Sequence, residues 1–293
     1  MPSSFTPRRG GPATWAVLSA IAAAATLPAA AAAQVTFSTA GADAASVQGS
    51  VDAFRAALGD LNPNVPGSFA GGRREINWDG VPAAFSAPSA FPGDFFNGNT
   101  PGRARGAAFS TPGSGFQVSA NAGEGPVRFD NIDPSYSATF ATFSPQKLFT
   151  AVGSTVTDVH FFVPGTGTRA VTSAFGVVFT DVDLANTTSL EFFGTSGASL
   201  GTYFAPQFVG SQSFSFLGVQ FDAAQVARVR ITSGNAALGA GVLDGTNTDV
   251  VAMDDFIFGE AAQVVPEPGT WALLAVGLTA LGGTAVARRR ATA

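Results

Sequence analysis

From about Val127 onward, the chain alternates between short apolar runs and turn residues. Ten such runs, each bounded by Gly, Pro, Asn or Ser, lie at 127–130, 138–144, 147–152, 155–163, 173–184, 189–195, 200–204, 213–222, 226–232 and 250–259. In the run at 226–232, Arg228 and Arg230 alternate with apolar neighbours, which is the period of two expected of a strand with one buried face. Because no helical pattern separates these strands, they predict an antiparallel β-sandwich, jelly-roll-like in its topology.

An earlier segment has the period of a helix instead. Four apolar residues recur there at spacings of four, three and four: Val47, Val51, Phe54 and Leu58. That spacing places them on one helical face. Asp43 suits the start of such a helix and Gly59 suits its end. We therefore predict one short N-terminal helix, whose apolar face packs on the core.

The stretch between this helix and the strands is rich in turn residues. Residues 59–125 contain many Gly, Pro, Ser and Asn, which predicts long loops with a few short strands. Phe is too frequent there for a disordered linker. We predict one mainly β domain over residues 34–262, with the helix and long loops at 34–125 and the main strands at 126–262.

The first 33 residues have the three parts of a secretory signal peptide. A basic start is followed by an apolar run from about Trp15 to Leu27, and small residues then lead to a cleavage site before Gln34. The apolar run is shorter than the ~20 residues that span a bilayer. We predict removal of residues 1–33 by signal peptidase and export of the rest through the inner membrane.

The other end, residues 263–293, also has an ordered set of parts. Trp271–Ala287 is a run without charges, and three basic residues follow it: Arg288, Arg289 and Arg290. Arginines at one end of an apolar helix stay in the cytoplasm, so the run predicts a transmembrane helix over 271–287 with the body outside. Before it stand Val265, Pro266, Glu267 and Pro268. The two prolines keep this motif extended and open to a processing enzyme.

On the Pro-Glu-Pro motif, the apolar helix and the terminal arginines, this segment resembles the PEP-CTERM sorting signal. The resemblance covers about residues 264–293. It implies a Gram-negative bacterium that makes extracellular polysaccharide, and processing near the motif by an exosortase, an integral-membrane enzyme. The FTDVD and MDDF segments of the body are loosely similar to the β-sandwich bodies of such exported proteins, which assigns no ligand.

Composition excludes several kinds of chemistry. The chain has no Cys and a single His, His160. Cys nucleophiles, disulfides, Cys-ligated zinc and His-rich catalytic metal sites are therefore excluded. His160 lies in a predicted strand, as an ordinary surface or core residue. Ten basic residues stand against nineteen acidic ones between 34 and 262, a net charge near −9. Such a domain repels phosphates, so we expect no nucleic-acid partner.

Two pairs of acidic residues suggest a calcium ion. Asp181 and Asp183 are two positions apart, so on a strand both carboxylates would point to one face. Asp254 and Asp255 lie near the last strand. Calcium takes six to eight oxygen ligands. Further oxygen ligands could come from Asp130, Asn131 and Asp133. In the alternative interpretation these acids are solvated strand ends and turn formers.

The most polar stretch of the body is 73–80. It carries Trp78, the one Trp between the two terminal segments. Because Trp rings stack on sugars, Trp78, Asp79 and Glu75 are candidate glycan-binding residues. These acids and Glu191 are also conceivable members of the carboxylate pair of a glycoside hydrolase. The alternative is a structural turn with Trp78 packed as a lid, which the abundance of Phe (27, against 2 Tyr and 3 Trp) favours.

Together these patterns predict an exosortase-sorted protein of the cell envelope or extracellular matrix, such as a biofilm, with a non-enzymatic structural or adhesive role. A glycan-binding module for extracellular polysaccharide is the alternative, and a secreted glycoside hydrolase ranks third. The predicted partners are signal peptidase, the exosortase and the membrane, which holds the C-terminal helix until processing. Calcium is the one candidate cofactor.

Overall fold

The computed structural model describes residues 34–264 and the single residue Gly277. The predicted signal peptide at 1–33, the motif at 265–268, the membrane helix at 271–287 (Gly277 apart) and the arginines at 288–290 lie outside the described residues. In the described part, no helix is both long enough and apolar enough to cross a membrane.

Residues 34–264 form twelve strands, two α-helices and one short 3-10 helix. The strands are β1 (Gln34–Gly41), β2 (Arg73–Ile76), β3 (Ala107–Ser110), β4 (Gly115–Val118), β5 (Phe149–Val152), β6 (Val156–Phe161), β7 (Ala174–Thr180), β8 (Ser189–Phe193), β9 (Ser199–Phe204), β10 (Phe214–Phe221), β11 (Arg228–Thr232) and β12 (Ala252–Gly259). The helices are α1 (Ala44–Leu58) and α2 (Tyr136–Thr139), with the 3-10 turn at Ala83–Phe85. The prediction of a mainly β fold is confirmed.

The strands form two antiparallel sheets. The large sheet has seven strands in the order β1-β10-β7-β12-β5-β4, with β2 also paired to β12. The small sheet has five strands in the order β3-β6-β11-β8-β9. All strand pairs between these elements are antiparallel, as predicted. The finer prediction of a jelly-roll topology stays a prediction.

The two sheets enclose one core made largely of Phe. The ring of Phe161 on β6 lies 6.1 Å from Phe175 on β7 and 5.6 Å from Phe258 on β12. At another point, the ring of Phe192 on β8 lies 5.3 Å from that of Phe221 on β10. These contacts join the small sheet to the large one, which is the packing of a sandwich. The high Phe content is therefore used to fill the space between the sheets.

Helix α1 covers the opposite face of the large sheet. Its buried residues are those of the predicted stripe: Val47, Val51, Phe54 and Leu58. They pack against the outer-face residues of β7, β10 and β12. Asp43 caps the helix by accepting a hydrogen bond of 2.9 Å from the Ser46 N–H, and Gly59 ends it at φ +87°. The predicted helix is confirmed in position and in packing face.

Two glycines let the helix approach the sheet. Gly176 on β7 and Gly218 on β10 are paired across the strands, and Phe54 lies above them. A Cβ added at Gly176 would be 2.8 Å from the Phe54 ring, and one at Gly218 would be 3.0 Å from it. Glycine weakens a strand interior, so its presence here reflects close packing of the aromatic ring.

Two of the ten predicted strands are wrong. The run at 127–130 is a turn, in which Arg128 and Phe129 have φ of +46° and +68°, values that a strand does not take. The run at 138–144 continues α2 and then becomes a loop. The structure also adds β1 before the helix, which pairs with β10 at the edge of the large sheet. The few short strands expected in the loop region are β2, β3 and β4.

Candidate functional site

Trp78 is a core residue, which corrects its interpretation as a glycan platform. Its side chain has no exposed surface. The indole ring stacks on Phe149 at 4.0 Å with an angle of 2° between the planes, and Phe256 packs edge-on at 5.0 Å. The indole N–H donates to the Asp254 carbonyl over 2.7 Å. A ring with no exposed surface cannot stack on a sugar.

Glu75 lies on β2 between two arginines. The Arg55 guanidinium of α1 donates to both of its oxygens, at 3.0 and 2.8 Å, and Arg73 donates to Oε1 at 2.6 Å. Burial opposes ionisation, but the hydrogen bonds from Arg55 and Arg73 outweigh it and lower the pKa of Glu75. Glu75 is thus held ionised as a bridge between α1 and the large sheet.

Asp79 supports the loop that leads into β5. Its Oδ1 accepts the backbone N–H groups of Gln146 and Lys147, at 2.5 and 3.1 Å. Burial raises the pKa of Asp79. Both this carboxylate and that of Glu75 are used to hold neighbouring segments together.

Asp254 and Asp255 point toward the same neighbours because β12 is irregular there. The register of β12 against β7 shifts between Met253 and Phe256, which breaks the alternation of faces. The Ser144 hydroxyl lies 3.0 Å from Asp254 Oδ1 and 2.8 Å from Asp255 Oδ1. Burial and then the charge of Asp255 raise the pKa of Asp254 well above its ordinary value. Burial also raises the pKa of Asp255.

These residues form a charged seam, which we define as Arg55, Glu75, Ser144, Asp254 and Asp255. Arg55 joins its two halves, because its Nη2 lies 2.8 Å from Glu75 and 3.0 Å from Asp255. The seam connects α1, β2 and β12 with the loop before β5. Each carboxylate is engaged by a neighbour, so the seam has the character of a structural network.

The other acidic pair lies elsewhere and belongs to a second group. Asp183 N donates to Asp249 Oδ1 over 2.9 Å, and Asp183 Oδ1 accepts from Gly210 N over 2.9 Å. The charges that act on Asp181 are those of Asp244, Asp183 and Asp249. We call these four residues the acidic cluster. The expected single site of Asp181, Asp183, Asp254 and Asp255 is thus divided between this cluster and the seam.

Asp181 is the least favourably placed carboxylate of the acidic cluster. It follows the last residue of β7 at φ +71°, so it is not on the strand as predicted. Its side chain is fully buried, and neither oxygen has a hydrogen-bond partner in the structure. Burial, followed by the charges of Asp244 and Asp183, raises the pKa of Asp181 to about 9. That of Asp244 rises to about 6, chiefly through burial.

These positions do not assemble the predicted calcium site. Over residues 34–264, no group of three or more His, Cys, Asp or Glu side chains is arranged to hold a metal ion. The further candidates are engaged locally. Asp133 Oδ1 accepts from Ser135 N and its Oδ2 from Gly241 N, at 2.9 and 2.8 Å, and Asn131 donates to Gln117 over 3.1 Å. Asp130 is partly exposed in the turn at 127–130.

Sequence reasoning missed the partners of both groups. Arg55 is the one basic residue of α1, and a charge next to a predicted buried stripe was the available signal. Asp244 and Asp249 lie in the polar segment DGTNTD, which is typical of a loop and gives no sign of its partners. Long-range pairing put them beside Asp181.

The outer face of the small sheet is polar and carries His160. The Ser110 hydroxyl lies 3.0 Å from His160 Nε2. Asp158, two residues before His160, is bound by Arg228 and Arg230, at 2.5 and 2.9 Å. No described carboxylate bonds to the second nitrogen of His160, so these residues do not form a catalytic triad. Glu191 lies opposite Arg230 in the sheet, far in sequence and fold from β2.

A comparison with known families identifies the motif at the C-terminal end of the chain. The family model described as the PEP-CTERM protein-sorting motif matches residues 264–290. The chain carries a PEP-CTERM sorting motif. The motif indicates an exported protein that an exosortase processes, with a C-terminus anchored in the membrane before processing. No curated protein and no solved structure matches the chain.

The PEP-CTERM match begins where the described body ends. After β12, Ala262 is still fixed to Val171 by backbone hydrogen bonds of 2.9 and 3.0 Å in both directions. Val264, the first matched residue, is 49% exposed. The described body therefore closes at Ala262, and Val264, where the match begins, lies at its surface.

Proposed function

We propose that this PEP-CTERM protein is a non-enzymatic structural or adhesive component of the cell envelope or extracellular matrix. The observation that carries the proposal is the state of the candidate catalytic acids. Glu75 and Asp79 hold segments of the body together, and the third candidate, Glu191, lies opposite Arg230 in the other sheet. A glycosidase needs an acid and a base or nucleophile that face a cleft and remain free to react.

The core supports the same proposal. A protein without disulfides that works outside the cell depends on packing for its stability. Here a continuous aromatic core between two sheets is reinforced by α1 and by the charged seam. Such a body can bear a load or present a surface, and neither role requires a mobile active site.

The first experiment tests the absence of enzyme activity directly. The full chain, purified in mild detergent, is incubated with extracellular polysaccharide from the producing cells, and newly formed reducing ends are measured. We expect none above the rate with heat-unfolded protein. Reducing ends that form with native protein, and that disappear when Glu75, Asp79 or Glu191 is replaced by its amide, would contradict the proposal.

A second experiment tests the location. Cells that carry an exosortase and express the tagged chain are fractionated into cytoplasm, membrane, surface matrix and medium. We expect the processed protein in the surface matrix, and weaker cohesion of the matrix when the gene is deleted. Unchanged cohesion in the deletion strain, with all of the protein free in the medium, would count against a structural role.

Glycan binding through the polar stretch is a weaker candidate. Trp78 is enclosed, and Glu75 and Asp79 are engaged by neighbours. Sugar binding at this stretch would require the core to open. If a glycan array shows binding by the full chain, we expect the affinity to be unchanged when Asp79 is replaced by Asn.

A further inference from the structure

A groove of about 320 Å³ lies at one end of the small sheet. It is bordered by His160 of β6, Arg228 of β11 and Phe193 of β8, which are neighbours across the strands. Arg169 and Val264 close its sides. Its volume is at the lower end of the range for small-molecule sites, which is ~300–1,000 Å³. The groove is separate from the charged seam and from the acidic cluster.

The groove concentrates positive charge on a body that is acidic as a whole. Arg169 is exposed and packs on the Phe162 ring at 4.6 Å. Within residues 34–264, no side-chain hydrogen bond or ion pair engages its guanidinium. Arg228 adds a second cation. A cleft lined by one sign of charge attracts the opposite sign, even on a protein whose net charge repels it.

Arg228 is fixed in place before any ligand arrives. Its guanidinium lies 3.6 Å from the centroid of Phe193, and Nη1 bonds to Asp158 Oδ1 at 2.5 Å. Asp158 also accepts two hydrogen bonds from Arg230, at 3.0 and 2.9 Å, so one carboxylate serves two guanidiniums. Glu191 lies opposite Arg230 and balances it, so the extra positive charge at the groove is that of Arg169. A fixed guanidinium loses little freedom on binding an oxyanion, and its planar edge matches a carboxylate.

His160 lines the groove with these two cations, and its pKa responds to their charge. It is half-buried, with Ser110 at its Nε2. Burial, Arg169 and Arg228 lower the pKa of His160, and Asp158 opposes them in part. The neutral imidazole can donate or accept a hydrogen bond. Since His160 is the one His of the chain, it gives a single signal in a spectrum.

We propose that this groove binds a carboxylate borne on one sugar-sized ring, the chemistry of a uronate unit, between Arg169, Arg228 and His160. The two guanidiniums attract and orient the carboxylate. The volume admits one ring, and the exposed hydroxyl of Thr195 offers a hydrogen-bond partner for a sugar hydroxyl. The inference is independent of the proposed structural role, because a matrix protein without this site would still pack and be sorted as described.

The test uses the His160 signal of the full chain in detergent, labelled with carbon-13 in the His ring. Its pKa is measured by NMR in the presence of millimolar galacturonate, galactose or acetate. A carboxylate beside the ring favours the imidazolium, so galacturonate should raise the pKa of His160 by about one unit. Galactose should leave it unchanged. No rise with galacturonate would overturn the proposal, and an equal rise with acetate would overturn the assignment to a uronate.

Arg169→Gln is the informative variant, because the exposed side chain can be changed without disturbing the core. Arg103→Gln is its matched control, since Arg103 also stacks on a Phe, at 4.0 Å from Phe95, but does not line the groove. Losing one charge-assisted contact should weaken galacturonate binding about tenfold in Arg169→Gln. The control should bind like wild type. Equal weakening in both variants would mean that galacturonate is attracted by the positive charges of the protein in general, and this result would overturn the site.

Discussion

Replacing Asp181 with Asn should stabilise this protein at neutral pH, although most substitutions at buried positions destabilise. The carboxyl of Asp181 is fully buried, has no hydrogen-bond partner and sits among three other acids. Asn has nearly the same shape and does not ionise. Asn also tolerates the left-handed backbone at φ +71°. The substitution therefore removes a cost and creates no cavity.

The magnitude follows from the raised pKa. The unfolded chain ionises Asp181 near its ordinary value of 3.8, whereas the folded protein holds the proton up to about pH 9. Folding at pH 7 thus requires Asp181 to take up a proton. Each pH unit is worth about 1.4 kcal/mol, so the cost is roughly 4–4.5 kcal/mol at pH 7. Because the Asn amide would also be buried without a partner, which offsets part of this cost, we expect a gain of roughly 2–4 kcal/mol in Asp181→Asn.

The dependence on pH gives the sharper test. An acid whose pKa is raised by folding does not lower the stability of the protein when the pH is below its pKa in the unfolded chain. Above that pH the loss of stability grows, and it stops growing when the pH reaches the pKa in the folded protein. The stability difference between Asp181→Asn and wild type should therefore be near zero at pH 3.8, increase steadily with pH and level off at about pH 9. Urea unfolding of the full chain in detergent, followed by near-UV circular dichroism, measures it. Asp222→Asn removes an exposed carboxylate and should show no such difference.

Two results would refute this reasoning. In the first, Asp181→Asn is less stable than wild type at pH 7 in the presence of chelator. In the second, the difference in unfolding free energy does not change between pH 4 and pH 9. The same measurement with millimolar calcium tests a further possibility. If calcium makes wild type more stable than the variant, Asp181 is a cation ligand, and the predicted calcium ion binds at the acidic cluster.

Three other results are expected. Glu260→Gln should lower the free energy of unfolding in urea by about 3–5 kcal/mol. The buried guanidinium of Arg74 lies 2.6 Å from the Glu260 carboxylate and would lose its counter-charge. A loss below 1 kcal/mol would contradict this. Gly176→Ala should cost about 1–3 kcal/mol through its clash with Phe54, and the loss should shrink in a background carrying Phe54→Leu. Equal losses in both backgrounds would exclude that contact as the cause. Intact mass of the exported protein should lack residues 271–293, and their retention on all of it would contradict processing at the motif.

The repetitive elements could be predicted because their periods are local. The spacing of Val47, Val51 and Phe54 fixes a helical face whatever the helix packs on, and that face is the buried one in the structure. The strand from Arg228 to Thr232 was recognisable for the same reason. Where local conformation departs from the pattern, prediction failed, as at Arg128 and Phe129, whose positive φ values turn an apolar run into a turn.

The candidate sites could not be predicted from their spacing. Asp254 and Asp255 face common partners because the register of β12 shifts beside them, and a register shift depends on the neighbouring strand. Trp78 is a glycan-binding candidate because it is the one Trp between the two terminal segments. Whether a Trp ring can stack on a sugar or belongs to the core depends on which side chains pack against it. In this fold, Phe149 and Phe256 enclose the ring.

The sequence by itself determined that this protein carries a signal for export and exosortase processing, and it determined the class of its fold. The PEP-CTERM motif is contiguous and is read as a linear signal, and the alternation of apolar residues belongs to each strand alone. Only the tertiary structure decided which charges meet. It brought Asp181 beside Asp244, and Arg169 beside Arg228, over about sixty residues in each case. Strand pairing joins segments by backbone hydrogen bonds that any residue can make, so the sequence near an acid does not reveal its eventual neighbours.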